Sequence, residues 1–169
     1  MKRGICLLLC VLLLSLCACK SGETERLEAA NTFLTVMLTV PNEAYNAAID
    51  AFEETAIRAA VEDLAGGLTV ESMIEPMLKG DGSMRLMMLG ALREITVRPA
   101  AITLDQSGND ETLYYYDAAV LVSVNGGPET ESTVFGQIQF SEEGLIRHLD
   151  MDGPLFDLLA DAEQRETSA

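Results

Sequence analysis

The chain has 169 residues, of which 27 are Asp or Glu and 11 are Lys or Arg, so its formal net charge is -16. Such an acidic chain lacks the basic surface that phosphate backbones attract, which excludes a nucleic-acid partner. Hydrophobic residues make up 49% of the chain, which excludes an acidic disordered protein and, at this length, indicates one folded domain.

The N-terminus has the composition of an export signal. Basic residues 2–3 precede an almost uninterrupted apolar stretch over residues 5–18. A membrane-spanning helix needs about 20 residues, whereas this stretch has the length of a secretory signal's apolar region. It ends in Leu-Cys-Ala-Cys at 16–19, followed by the polar segment 20–25. This order resembles the lipobox of bacterial lipoproteins, with an aliphatic residue three positions before a cysteine and a small residue directly before it.

The resemblance implies a signal peptide over residues 1–18, lipidation of Cys19 and a short tether over residues 19–25. The protein would then be exported and held on the cell membrane by its lipid, facing outside the cytoplasm. Cys17 is a poorer lipid acceptor because the preceding Leu16 is bulky. An ordinary secretory signal or a short membrane anchor is the alternative interpretation.

Cleavage before Cys19 would change both the charge and the cysteine content. Loss of the two basic residues of the signal lowers the formal charge from -16 to -18. A domain of this charge is repelled by anionic lipid, so we expect it to stay outside the bilayer. With Cys19 as the remaining cysteine, its stability would come from core packing without a disulfide.

Helices are predicted first. Apolar residues at helical spacing predict a helix over residues 24–40, which Pro41 ends. Asn42 is the expected N-cap of a second helix that continues to Gly66 and Gly67. Its expected apolar stripe consists of Tyr45, Ala48, Ile49, Phe52, Ala56 and Ala59. Shorter helices are expected over residues 69–78 and 83–89.

Strands follow the helices. The segment 93–104 is rich in β-branched residues, and its apolar phase slips at Pro99, which predicts a bulge or an edge position. Three further strands are expected over residues 114–124, 134–140 and 145–151. Pro154 suits the first position of a closing helix over residues 155–164, and residues 166–169 are expected to be a flexible tail.

Helices followed by an antiparallel meander predict an α+β domain over residues 26–165. The element order and the sequence Gly-Leu-Ile-Arg-His-Leu-Asp at 144–150 resemble the NTF2-like (cystatin-like) fold. That resemblance implies a curved antiparallel sheet that wraps N-terminal helices into a cone, followed here by a short C-terminal helix. Some members hold a substrate in the cone and are isomerases, dehydratases or cyclases, and open sheets of this type often pair face to face in homodimers.

His148 and Asp150 are the candidate catalytic residues. They share one face of a regular strand with Ile146, because side chains alternate with a period of two. Tyr114 and Tyr116 share a face of their own strand. A His–Asp pair beside tyrosines would suit proton abstraction next to a carbonyl, as in a small isomerase or dehydratase. The alternative is a surface or packed strand histidine without a catalytic role.

We expect no metal or other cofactor. Methionines are concentrated over residues 73–88, and thioethers can bind Cu(I), but the chain has a single His and the spacing of Met73 and Met77 is typical of a buried stripe. The acidic segments 105–111 and 150–153 lack the glycine position or the third ligand of a calcium loop, and solvated turns explain them.

The sequence therefore favours a lipid-anchored envelope protein with a non-catalytic binding or interaction domain, the pocket enzyme being the alternative. Its partner would be an envelope protein, a small apolar ligand held in the cone, or a second copy of the chain. A polar enclosed pocket would favour the enzyme, and a filled cone would favour the interaction domain.

Overall fold

A computed structural model describes residues 22–80, 84–92 and 94–167. The signal peptide expected over residues 1–18 and Cys19 lie outside the described residues. The described part has the predicted α+β class, with N-terminal helices, a four-stranded antiparallel sheet and a short C-terminal helix packed on that sheet. None of the helices in these ranges has the length and apolar character that crossing a membrane requires.

The N-terminal layer contains five helices within the described residues. Their bounds are α1 (residues 22–37), α2 (Glu43–Ala51), α3 (Glu54–Ala65), α4 (Ile74–Leu78, after a 3₁₀ turn at Glu71–Met73) and α5 (Arg85–Leu92). Asn42 caps α2 as predicted, because its side-chain oxygen accepts the Tyr45 N–H at 3.0 Å. Gly66 ends α3 in the left-handed conformation, which confirms the predicted helix end.

The prediction of one continuous helix from Asn42 to Gly66 was wrong. The chain breaks at Phe52, which has a φ of 53° and is 89% exposed. The physical reason is the phase of the apolar residues: α3 buries Val61 and Leu64, which do not continue the stripe that begins at Tyr45. A break lets both helices turn their apolar sides to the core, so the expected stripe position Ala59 is exposed.

The sheet is a simple meander in the order β1-β2-β3-β4. Its strands are β1 (Ile95–Ser107), β2 (Asp110–Val124), β3 (Thr130–Phe140) and β4 (Ile146–Asp152). The register of β1 against β2 shifts between Pro99 and Ala101, and β1 lies at the edge of the sheet. The slip of apolar phase at Pro99 therefore marks both a bulge and an edge strand.

Segments of the helical layer cover both edges of the sheet. Val40 exchanges two backbone hydrogen bonds with Val97 of β1, at 2.9 and 2.8 Å. On the other edge, the Val70 N–H donates to the Ile146 carbonyl, and the Ile146 N–H donates to the Leu68 carbonyl. These short bridges tie the helical layer to β1 and β4 and satisfy edge groups that would otherwise be open to pairing.

The core lies between the inner face of the sheet and the helices. The largest fully buried side chains come from both layers, and they are Phe33, Leu34, Met37, Leu38, Met77, Met84, Leu86, Met87, Tyr114, Ile138, Phe140 and Ile146. Met73 is buried too. The methionines therefore fill the core as predicted, with Met88 as the partly exposed member of the group.

The Tyr116 side chain crosses Gly136 and reaches a third strand. These two residues are directly opposite each other on β2 and β3. The Tyr116 ring extends past the glycine, and its hydroxyl donates to the main-chain carbonyl of Asp150 on β4 at 2.9 Å. A Cβ atom at Gly136 would collide with that carbonyl and would lie 3.1 Å from the ring. The missing side chain therefore permits the close approach of three strands.

Helix α6 (Pro154–Thr167) closes the described chain. Pro154 occupies its first position, as predicted. Leu155 and Leu159 are buried, and the helix contacts β3. It continues to Thr167, into the segment 166–169 that was expected to be a flexible tail.

We expect Gly136→Ala to lower the free energy of unfolding by about 1–3 kcal/mol, because the added methyl group displaces either Asp150 or the Tyr116 ring. Gly108→Ala is the matched control: a Cβ atom there meets nothing within 4 Å, so the change should stay within about 0.5 kcal/mol. Urea denaturation measures both variants. Equal stability of the two would contradict the proposed close crossing.

Candidate functional site

His148 and Asp150 lie on the outer face of β4, away from the core. Both are exposed, whereas Leu149 between them is buried. The register shifts between Gln139 and Phe140, so that Phe140 pairs with Ile146 and Gln139 pairs with His148. This bulge reverses the alternation, and the prediction that Ile146 shares a face with His148 was wrong.

The two tyrosines considered with them lie on the inner face. Tyr114 is 0% exposed and its ring contacts Phe140 edge-on, with 5.6 Å between ring centroids. Burial raises the pKa of the Tyr114 hydroxyl, and burial with the nearby Asp150 carboxylate raises the pKa of Tyr116. The bond from Tyr116 reaches the backbone of Asp150, not its carboxylate. The structure therefore does not gather His148, Asp150 and the tyrosines around one enclosed space.

A different set of side chains comes together on the outer face. The strand register aligns two adjacent rows of outward-facing residues across all four strands. The first row is Asp105, Tyr115, Gln137 and Asp150, and the second is Thr103, Asp117, Phe135 and Asp152. Tyr115 and Phe135 are 52% and 44% exposed. Two large aromatic side chains thus stand diagonally next to each other, with carboxylates around them.

An open groove of about 400 Å³ lies over the middle of these rows. Its lining includes Tyr115, Asp117, Phe135, Gln137 and Asp150. We call this the outer groove. Two of its lining residues lie against neighbouring strands or turns. The Tyr116 hydroxyl holds the backbone of Asp150 by a hydrogen bond. The Phe135 ring lies so close to Gly153 that a Cβ atom added to this glycine would be 3.2 Å from it.

The electrostatics of this face are strongly acidic. Strands β1–β4 contain two arginines, Arg98 and Arg147, and no lysine. Arg98 is already engaged by Glu129, whose two carboxylate oxygens accept bonds at 2.9 and 2.8 Å. This pair lowers the pKa of Glu129. The charge of Arg147 helps to lower the pKa of Asp110, after the larger effect of the bonds from Thr112.

The acidic segment 105–111 is explained by strand and turn structure. Asp110 accepts the backbone N–H and the hydroxyl of Thr112 at 2.8 and 2.7 Å. Within the part of the chain that the structure describes, no three His, Cys, Asp or Glu side chains converge as metal ligands.

A second open groove, of about 540 Å³, lies at the end of the sheet where β1 begins and β2 ends. Its lining includes Pro41, Asn46, Glu94 and Ser123. The Asn46 side-chain oxygen is buried and has no hydrogen-bond partner among the described residues. This groove has no exposed aromatic side chain in its lining, unlike the outer groove.

Tyr115 and Phe135 were missed as site residues, although the sequence contained the signal. The run Tyr114-Tyr115-Tyr116 on an alternating strand must turn its middle residue outward. Phe135 lies between Val134 and Gly136, and the same alternation turns it to the face opposite theirs.

Comparisons with protein-family models, with curated proteins and with solved structures each found no match to this chain. The candidate site is therefore defined by its own geometry.

Proposed function

We propose that this chain is a lipoprotein, anchored by lipid on Cys19, whose domain is a non-catalytic interaction module at the cell envelope. The observation that carries the proposal is the contrast between the two faces of the sheet. The inner face is packed against the helices, while the outer face exposes Tyr115 and Phe135.

The packed inner face argues for an interaction module over a pocket enzyme. A cavity wide enough for water would give the side chains around it accessible surface. Phe33, Leu34, Tyr114 and Ile138, from both layers, have none. In an NTF2-like enzyme the substrate would lie between sheet and helices, and the absence of accessible surface on these four side chains supports the interaction module over an enzyme or a site for a small apolar ligand.

We also propose that the α+β fold is of the NTF2-like type. Support comes from the order of helices before a four-stranded antiparallel meander, and from the core that the helices share with one face of that sheet.

The anchor proposed at Cys19 would orient the domain. Arg26 near the start of α1 donates to the Glu111 carbonyl at 3.1 Å, and a small surface groove joins Gly22 to Glu142 and Glu143. The β1–β2 and β3–β4 turns therefore lie beside the start of α1, and this acidic end would face the headgroups. Tyr115 is five residues along β2 from Asp110, about 17 Å at the rise of a strand. The outer groove would then open sideways, above the membrane surface.

We expect Cys19→Ser to release the protein from the membrane fraction and to abolish the lipid mass on the N-terminal residue, because the sulfur is the proposed attachment point. Cell fractionation and mass spectrometry of the N-terminus measure this. Cys17→Ser is the matched control and should keep both the lipid and the membrane fraction. Membrane retention of Cys19→Ser, or lipid on Cys17, would contradict the proposed anchor.

The interaction surface is tested by photo-crosslinking in intact cells. A photoreactive phenylalanine analogue that replaces Tyr115 should give a discrete light-dependent adduct, because this side chain lies at the centre of the exposed face. The same analogue in place of the exposed Ala59 on α3 should give none. Adducts of equal yield at both positions, or none at Tyr115, would argue against the outer face as the interaction surface.

A further inference from the structure

The outer groove combines exposed aromatic faces with several carboxylates on adjacent strands. Asp117 is directly beside Phe135, and Asp150 is two strands away from Tyr115, with Gln137 of β3 between them. Asp105 and Asp152 extend the two rows at their β1 and β4 ends. In the part of the chain that the structure describes, none of these four carboxylates is paired with Arg98 or Arg147.

We infer that the outer groove docks a positively charged, arginine-bearing segment of a partner protein. This inference rests on the proposed function and specifies the chemistry of the partner. Guanidinium groups stack on aromatic rings and donate bidentate hydrogen bonds to carboxylates, and Tyr115, Phe135 and Asp117 offer both kinds of contact side by side.

The spacing of the carboxylates favours an extended segment over a single ion. Neighbouring strands are about 4.8 Å apart and alternate residues of one strand about 6.8 Å apart, so the backbones of Asp117 and Asp150 are about 12 Å apart, and those of Asp105 and Asp150 about 14 Å. One metal ion binds its oxygen ligands at about 2.3–2.6 Å, and within the described residues no three acidic side chains come together to hold one. Alternate side chains of an extended peptide repeat at about 6.8 Å, which lets several basic residues reach different carboxylates.

The shape and charge of the face favour a protein segment over other occupants. Small-molecule sites enclose most of their ligand, whereas this groove is open along the sheet. A second copy of the chain would bring another acidic face against this one, and anionic lipid is repelled for the same reason. Docking of a basic segment instead relieves the repulsion among carboxylates on adjacent strands.

The test measures the affinity of residues 20–169, and of the variants below, for fluorescent hexa-arginine, hexa-lysine and hexa-glutamate peptides. Fluorescence anisotropy at low and at high salt gives each dissociation constant. We expect hexa-arginine to bind more tightly than hexa-lysine, no binding of hexa-glutamate, and weaker binding in high salt. Circular dichroism confirms that each variant is folded.

Two double variants separate the aromatic and the ionic contributions. Tyr115→Ala with Phe135→Ala keeps every charge and should weaken hexa-arginine binding about tenfold. Asp117→Asn with Asp150→Asn should weaken it about tenfold as well. Tyr115→Phe retains the aromatic face and should change it by no more than about twofold.

A matched charge control identifies non-specific attraction. Glu62→Gln with Asp63→Asn removes two exposed carboxylates of α3, the same charge change as Asp117→Asn with Asp150→Asn, and should leave binding unchanged. An equal loss in this control, or full binding by the aromatic double variant, would overturn the inference.

The crosslinking result distinguishes this inference from the proposed function. A light-dependent adduct at Tyr115 without hexa-arginine binding would leave the interaction surface in place and refute its basic partner. Absence of both would refute the surface and the partner together.

Discussion

The close crossing of Tyr116 over Gly136 is the constraint on which the rest of this domain depends. A single hydroxyl on β2 reaches past β3 to the backbone of β4, and it does so because Gly136 has no side chain in the way. The crossing brings three strands together and holds the backbone of Asp150. The bond also satisfies the hydroxyl of the buried Tyr116 side chain, which would otherwise lack a partner at a cost in free energy.

The sheet separates a packed inner face from an acidic, aromatic outer face. On the inner face, Tyr114 and Phe140 pack edge-on, and α1 supplies Phe33 and Leu34 with no accessible surface. Bridges at Val40 and Thr69 tie the helical layer to both edge strands. The exposed aromatic and acidic side chains of β2, β3 and β4 lie on the opposite, outer face.

Much of the fold follows from local rules that operate within a few residues. The Asn42 cap, the Gly66 helix end, the bulge at Pro99 and Pro154 at the start of α6 were all predictable, because each depends on the chain's own backbone chemistry. The break at Phe52 was not, because it depends on the relative phase of two helices against a shared core. The bulge that turns His148 away from Ile146 was not predictable either, because it is set by the pairing of β4 with Gln139 and Phe140 on β3.

The site shows the same division between local and long-range information. Strand alternation alone assigns Tyr115 and Phe135 to the outer face. Their diagonal placement, and the carboxylates beside them, depend on the register of four strands, which no local pattern contains. Placement of His148 and Asp150 on that open face separates them from the interior in which a pocket enzyme would need them.

Nitration of the four tyrosines tests the separation of the two faces most directly. The folded protein is treated with tetranitromethane at mildly alkaline pH, and mass spectrometry of its peptides locates the nitro groups. Tyr115 is half exposed, whereas Tyr45, Tyr114 and Tyr116 are buried, and burial raises the pKa of each of these three hydroxyls. We predict rapid nitration of Tyr115 and protection of the other three. Nitration of Tyr114 or Tyr116 as fast as Tyr115 would contradict the packed inner face.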